Sequence, residues 1–226
     1  MILLSLGSNL SSSFGNRFKN LELAISHLKS HKIELITKSS FYETPSYPNN
    51  NDPKFINMII NISTKLTPEK LASSIIYTEE KLERKRNKKN EPRTCDIDII
   101  DYKGLIINFN YKNLSFKVPH AKLINRNFVL YPINEILPNW THPESKEKIS
   151  DLIAKLPELD RNSILKVKKN WYKLKMLDQK DLIKKVKNYN KFLNPETLSK
   201  AYTFALNAHK DQKEILVTHI YLTQLL

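Results

Sequence analysis

The chain has 226 residues, 40% of them hydrophobic, enough to bury a real core and too many for wholesale disorder. Its single cysteine, Cys95, excludes an internal disulfide and any multi-cysteine metal site, and no apolar run approaches the roughly 20 residues of a membrane span. The formal charge of +14 is uneven: residues 1–160 hold 23 basic and 18 acidic side chains, residues 161–226 hold 14 and 5. In chain order, Ile2 to Leu6 reads as a buried strand, not a signal peptide, because no basic flank or small-residue cleavage site accompanies it. Phe14 to about Ser30 reads as a helix, with Leu21, Ala24, Ile25 and Leu28 on one face. Ile33 to Tyr42 reads as one strand. Three prolines and three consecutive asparagines make 44–54 a loop, and Phe55 to Thr64 is the next strand. Thr67-Pro68-Glu69 starts a helix with a capping hydroxyl, a first-turn proline and an acid at the positive end of the dipole. Leu71, Ile75, Thr78 and Leu82 form its inner stripe. A basic loop, Arg84-Lys85-Arg86-Asn87-Lys88-Lys89-Asn90-Glu91-Pro92-Arg93, follows. Asp96 to Tyr102 is a strand, with 105–107 expected to return as its hairpin partner around Lys103-Gly104. Val118-Pro119-His120 opens a loop, and 127–137 ends in a short helix.

The order β-α-β-β-α-β is the ferredoxin-like pattern of an α+β fold, an antiparallel sheet with two helices on one face. That fold hosts many functions and identifies none. Residues from about 161 onward are lysine-rich and helical in pattern. Asn194-Pro195-Glu196 is a second helix start, and Leu198, Ala201, Tyr202 and Ala205 form an apolar stripe. A boundary near Leu156-Pro157 is expected, with a first domain of 1–160 and a basic helical C-terminal extension of 161–226.

The chemistry concentrates in Pro92-Arg93-Thr94-Cys95-Asp96-Ile97-Asp98. Side chains alternate along a strand, so Asp96 and Asp98 point the same way. Two carboxylates on one face repel unless a cation lies between them, and magnesium is held by one or two carboxylates with waters and phosphates. Arginines beside them offer bidentate donors to phosphate. Carboxylates for metal next to arginines for phosphate describe a phosphoryl-transfer site; the bland alternative is a solvated edge strand beside a solvated loop. The three glycines, Gly7, Gly15 and Gly104, exclude a Gly-rich phosphate cradle or dinucleotide fingerprint.

Five segments then occur in order: Leu6-Gly7-Ser8-Asn9-Leu10, Phe41-Tyr42-Glu43-Thr44-Pro45, Phe55-Ile56-Asn57, Pro92-Arg93-Thr94-Cys95-Asp96-Ile97-Asp98-Ile99, and Val118-Pro119-His120 with Arg126-Asn127-Phe128-Val129-Leu130. Together they resemble the 6-hydroxymethyl-7,8-dihydropterin pyrophosphokinase family over roughly residues 1–145. The resemblance implies a transfer of pyrophosphate from ATP to a pterin alcohol in folate biosynthesis, releasing AMP. It implies that Asp96 and Asp98 hold two Mg2+ ions, with Arg84 and Arg93 beside them in catalysis. Glu79, Arg86, His120 and Arg126 would complete the ATP shell. Thr44, Pro45, Phe55, Asn57 and Phe128 would form the pterin pocket, the two phenyl rings sandwiching the heterocycle and the Asn57 amide meeting its edge. The expected partners are the small molecules ATP and the pterin alcohol, with no membrane and a monomer as the expected state; the missing signal peptide and the single cysteine make the cytoplasm the expected location.

The sequence departs from the family pattern at Glu83, where glycine is usual, at Glu91 before Pro92-Arg93, at Asn90 in place of an aromatic, and at Ala121 after His120. These departures bear on activity more than on fold, and they motivate an alternative in which the enzyme has decayed. A second alternative is a basic nucleic-acid-binding module, which the aspartates on a central strand oppose. The C-terminal 45 residues more weakly resemble the opening of the guanosine-tetraphosphate synthetase/hydrolase family, through 181–189, 198–205 and 208–213. Thr218-His219 is the nearest match to its first metal histidine. One histidine cannot hold a catalytic metal, so a remnant without hydrolase activity is expected.

Overall fold

The computed structural model describes residues 1–86, 91–112 and 114–167, together with 194, 196, 197, 199 and 200. The expectations placed on 87–90, and nearly all of those placed on the helical extension and its second resemblance, lie outside the described residues. The chain divides into two compact units, Met1–Lys168 and Lys169–Leu226. The first holds an antiparallel sheet with helices on both of its faces.

Strands β1 (Ile2–Ser8), β4 (Phe55–Ser63) and β5 (Asp96–Tyr102) lie side by side in that sheet, β1 between the other two and β5 at the edge, so the aspartates expected on a central strand stand on an edge strand. β4 pairs on its far side with β2 (Glu34–Lys38) and β3 (Tyr42–Thr44). Helices α1 (Arg17–Ser30) and α2 (Pro68–Lys81) pack beside each other over one face. This is the expected ferredoxin-like arrangement. Leu4, Leu6, Ile56, Met58, Ile60, Ile97 and Ile99 share that face and are fully buried. Burial of such side chains contributes on the order of 1.5–3 kcal/mol each before entropy is charged.

The opposite face is divided. Leu3, Ile59 and Ile100 form a second cluster with α3 (Asn127–Ile136) and α4 (Ile149–Ala154). Toward the other ends of the same strands, Gly7, Asn57, Asp96 and Asp98 continue that face, and the sheet pairs them directly: Gly7 lies opposite both Asn57 and Asp96, and Ser5 opposite Asp98.

Several boundaries differ from the sequence reading. α1 begins at Arg17, not Phe14, because Asn16 is its cap: the Asn16 side chain accepts the Lys19 amide at 3.0 Å. The single strand expected over 33–42 is two strands. Between them Ser39 exchanges bonds with Ile59 by backbone N–H (2.9 Å) and by its hydroxyl, which accepts the Ile59 amide (3.0 Å), so a side chain replaces a rung of the ladder. The turn at Lys103-Gly104 is present, but the chain does not return along β5. Ile107–Tyr111 (β6) pairs instead with Leu114–Val118 (β7), a hairpin absent from the sequence reading, with Phe109 stacked on Phe116 at 5.0 Å. Finally, α5 (Glu158–Asn162) is followed by β8 (Leu165–Lys166), which pairs with β3, and Val167 donates to the Phe41 carbonyl at 2.8 Å. The first unit therefore extends to 168, past the boundary expected at 160.

Candidate active site

β5 carries Asp96 and Asp98 onto the same face as Ser5 and Gly7, as strand alternation requires. Each is engaged by arginine. Asp96 pairs with Arg84 and, at 2.6 Å, with Arg93; Asp98 pairs with Arg126 at 3.3 Å. These side chains are partly exposed, so the cluster borders solvent. Burial would push both carboxyls up. At Asp96 the guanidiniums of Arg84 and Arg93 outweigh it and hold the group below the ordinary carboxylate value. At Asp98 burial, reinforced by the charge of Asp96, prevails over His120 and Arg126 and raises the group. A paired carboxylate held reluctantly charged by its neighbour is what a divalent cation relieves.

Glu79, on the last turns of α2, stands behind this cluster and not in it. It is 1% exposed. One oxygen accepts the Ile97 amide at 2.8 Å and Arg84 at 3.1 Å; the other accepts Arg86. Because β5 is an edge here, the Ile97 N–H needs a partner from outside the sheet, and Glu79 supplies it. Burial pushes this carboxyl up to about 7 against the pull of Arg84 and Arg86. The Nε–H groups of Arg84 and Arg93 are buried without a partner among the described residues.

His120 follows a cis Val118-Pro119 bond. Its Nδ1 accepts the Lys122 amide at 3.1 Å, which leaves the proton of the neutral ring on Nε2. Burial, stronger than attraction to Asp98, lowers its pKa.

The residues expected to hold a heterocycle lie along the same face. Asn57 is buried and donates to the Thr44 hydroxyl at 3.0 Å. Phe55 lies under the Arg93 guanidinium at 4.9 Å, and Phe128 under that of Arg126 at 5.4 Å. Pro45 follows Thr44 and is exposed.

Two groups that shape the site were not singled out by the sequence reading. A Cβ on Gly7 would stand 3.1 Å from Asn57 Oδ1 and 3.6 Å from the Phe55 ring, so the glycine keeps that floor open. Asn9 ties three segments together: its side chain donates to Pro53 O (3.0 Å) and Ser46 (3.3 Å) and accepts the Arg93 amide (2.6 Å). Both stand within the Leu6-Gly7-Ser8-Asn9-Leu10 segment; the signal was a glycine and a polar amide ending an otherwise apolar strand.

Residues 3–138 match the family profile described as 7,8-dihydro-6-hydroxymethylpterin-pyrophosphokinase (HPPK). The 2-amino-4-hydroxy-6-hydroxymethyldihydropteridine pyrophosphokinase of Aquifex aeolicus is 33% identical over 150 residues, covering 66% of this chain and 88% of that protein. The folic acid synthesis protein FOL1 of Dictyostelium discoideum is 34% identical over 143 residues, covering 63% of this chain. This chain spans about a fifth of the length of that protein and of its fission-yeast counterpart, 20% in each case. Among solved structures, wild-type Plasmodium falciparum HPPK-DHPS with pteroate superposes with a TM-score of 0.52 at 17% identity, over 68% of this chain and 42% of that one. At that identity the likeness concerns the fold.

Proposed function

The chain belongs to the 7,8-dihydro-6-hydroxymethylpterin-pyrophosphokinase family, and from that premise we propose that it transfers the pyrophosphate of ATP to the hydroxymethyl oxygen of 6-hydroxymethyl-7,8-dihydropterin, releasing AMP. The observation that carries this reading is the convergence of Asp96, Asp98 and three arginines on one stretch of the sheet, beside Asn57 and two phenyl rings.

The donor set fits magnesium. Two hard carboxylate oxygens point one way, and the remaining ligands would come from water and phosphate, since no third His, Cys, Asp or Glu completes a cluster among the described residues. We assign Asp96 and Asp98 to two Mg2+ ions, which would neutralise charge on the phosphate oxygens and leave the β-phosphorus open to attack. Arg84, Arg93 and Arg126 exchange their carboxylate partners for phosphate oxygens, which demands no new burial of charge. His120 offers Nε2–H as a neutral donor in the same shell. Glu79 keeps Arg84 and Arg86 aimed. Asn57 and Thr44 read the polar edge of the pterin, and Phe55 and Phe128 cover its faces once their arginines turn to phosphate; Pro45 borders this pocket. No residue here is a strong base toward an alcohol, so the rate rests on alignment and charge neutralisation. One chain supplies every group, so a monomer suffices, and cytoplasmic ATP is the expected source of the nucleotide. Among the described residues no helix is long and apolar enough to cross a membrane.

The test is incubation of the full chain with ATP, magnesium and the pterin alcohol, with AMP as the readout. Asp96→Asn and Asp98→Asn should each lower turnover by ~100-fold or more, since several kcal/mol of charge stabilisation is withdrawn. Undiminished AMP release by both variants would refute the metal assignment.

A further inference from the structure

α2 ends at Lys81, and Leu82 and Glu83 turn the chain out toward Arg84. Glu83 has φ +64°, in the left-handed region that a side chain adopts only at a cost. Its carboxylate accounts for the conformation: one oxygen accepts the Ser13 hydroxyl at 2.6 Å and the other the Ser13 amide at 3.0 Å. Ser13 belongs to a tight turn in which Ser12 and Gly15 exchange backbone hydrogen bonds of 2.9 and 3.2 Å.

The same β1–α1 loop is anchored a second time. Buried Asn20 accepts the Ser12 hydroxyl (2.6 Å) and donates to the carbonyls of Leu10 (3.0 Å) and Thr94 (3.1 Å). The amides of Asn9 and Leu10 donate to the Arg93 carbonyl at 3.0 and 3.1 Å. The loop thus holds both ends of the segment 83–94, from which Arg84, Arg86 and Arg93 project. At the Arg93 end the hold is made of several amides, those of Asn9 and Asn20 belonging to buried residues. At the other it is one carboxylate, exposed to water.

We propose that Glu83 is a positioning residue for the nucleotide: its two bonds to Ser13 fix the left-handed exit from α2 and so set where Arg84 and Arg86 stand. The inference rests on the assignment of those arginines to ATP phosphates. Arg84 is the next residue along, its amide donating to the Glu79 carbonyl at 3.0 Å and its guanidinium to Glu79 and Asp96. A rotation at 83 therefore moves it directly. Glycine at 83 would accept the same φ without strain while removing the grip, so this one substitution separates backbone strain from positioning.

The experiment uses the full chain with Glu83→Gly, Ser13→Ala and the double variant. It reads four quantities: affinity for the magnesium complex of α,β-methylene-ATP by calorimetry, exchange of the Arg84 amide, KM for ATP against KM for the pterin, and the thermal midpoint. Glu83→Gly should weaken nucleotide affinity about three- to tenfold, the scale of coupling between directly bonded groups. Its Arg84 amide should exchange faster and its KM for ATP should rise, with the pterin KM and the thermal midpoint not impaired. Ser13→Ala should show a smaller loss in the same quantities, and the double variant no more than Glu83→Gly alone. Unchanged nucleotide affinity and Arg84 exchange in Glu83→Gly, or additive losses in the double variant, would overturn the proposal. If the unaltered chain fails to bind the analogue, the nucleotide assignment falls instead, and Arg84 exchange in the variants still decides whether the clasp holds.

Discussion

Glu79, Gly7 and the pair Asp96 and Asp98 show how function is written into single residues here. Glu79 is buried with two arginines and a backbone amide, and its carboxyl is pushed up from 4.5 to about 7. Between those values the folded protein holds a proton that the unfolded chain has lost. The stability this confers is fully present below 4.5 and is lost as pH rises through about 7. Glu79→Gln should flatten that slope in metal-free, nucleotide-free protein; the check is urea unfolding at a series of pH values, where an unaltered slope would contradict the assignment. Gly7 acts by what it lacks. Gly7→Ala places a methyl 3.1 Å from Asn57 Oδ1, where the amide must shift, and pterin affinity should fall about tenfold, ~1.4 kcal/mol, with nucleotide affinity intact. Titration calorimetry with each ligand separates the two. Asp96 and Asp98 needed no structure to be recognised as a same-side pair, because alternation along a strand is a property of the chain itself. Their arginine partners are another matter. Arg93, three residues from Asp96, is a local partner, whereas the pairing of Arg126 with Asp98 depends on a loop and helix that close over the sheet.

At the scale of elements, the readable parts are those whose signals are local. α2 begins where a threonine, a proline and an acid stand together, and Thr67 does accept the Lys70 amide at 3.4 Å. Thr67→Ala should cost about 1 kcal/mol, measurable as a lowered urea midpoint. The parts that were not readable depend on remote partners. The break between β2 and β3 is made by Ser39 meeting Ile59, twenty residues away, and no propensity at Ser39 announces it. Lys103-Gly104 has good turn chemistry, but a turn signal does not say which strands it joins, and here β6 pairs with β7 instead of returning along β5. β8 is two residues long and exposed, so it has no pattern to read; it exists because β3 presents a free edge.

The first unit is a ferredoxin-like core with its second face shared between a helical cover and a site. The cover is tied on by Glu135 of α3, which accepts Ser40 N–H (3.0 Å), Ser40 hydroxyl (2.7 Å) and Tyr42 hydroxyl (3.0 Å) and pairs with Lys166 at 3.0 Å. A chain ending at 168 should therefore retain both folding and AMP formation. One ending at 160 loses β8 and the Lys166 pair, and should unfold several degrees lower by calorimetry, about the shift that 1 kcal/mol produces in a domain of this size. Equal thermal midpoints for the two would place β8 outside the folding unit.

The amino-acid sequence alone determined the alternation of strands and helices, the same-side pair of aspartates, the capping of α2 and the family, because each rests on spacing between near neighbours or on motifs read in order. The tertiary structure decided that Glu79 lies behind the arginines, that Asn9 and Gly7 stand beside the aspartates and Asn57, and that Glu83 has Ser13 to hold. All of these are meetings of residues distant in the chain, and they are set by how burying both faces of one sheet brings remote loops to the same edge.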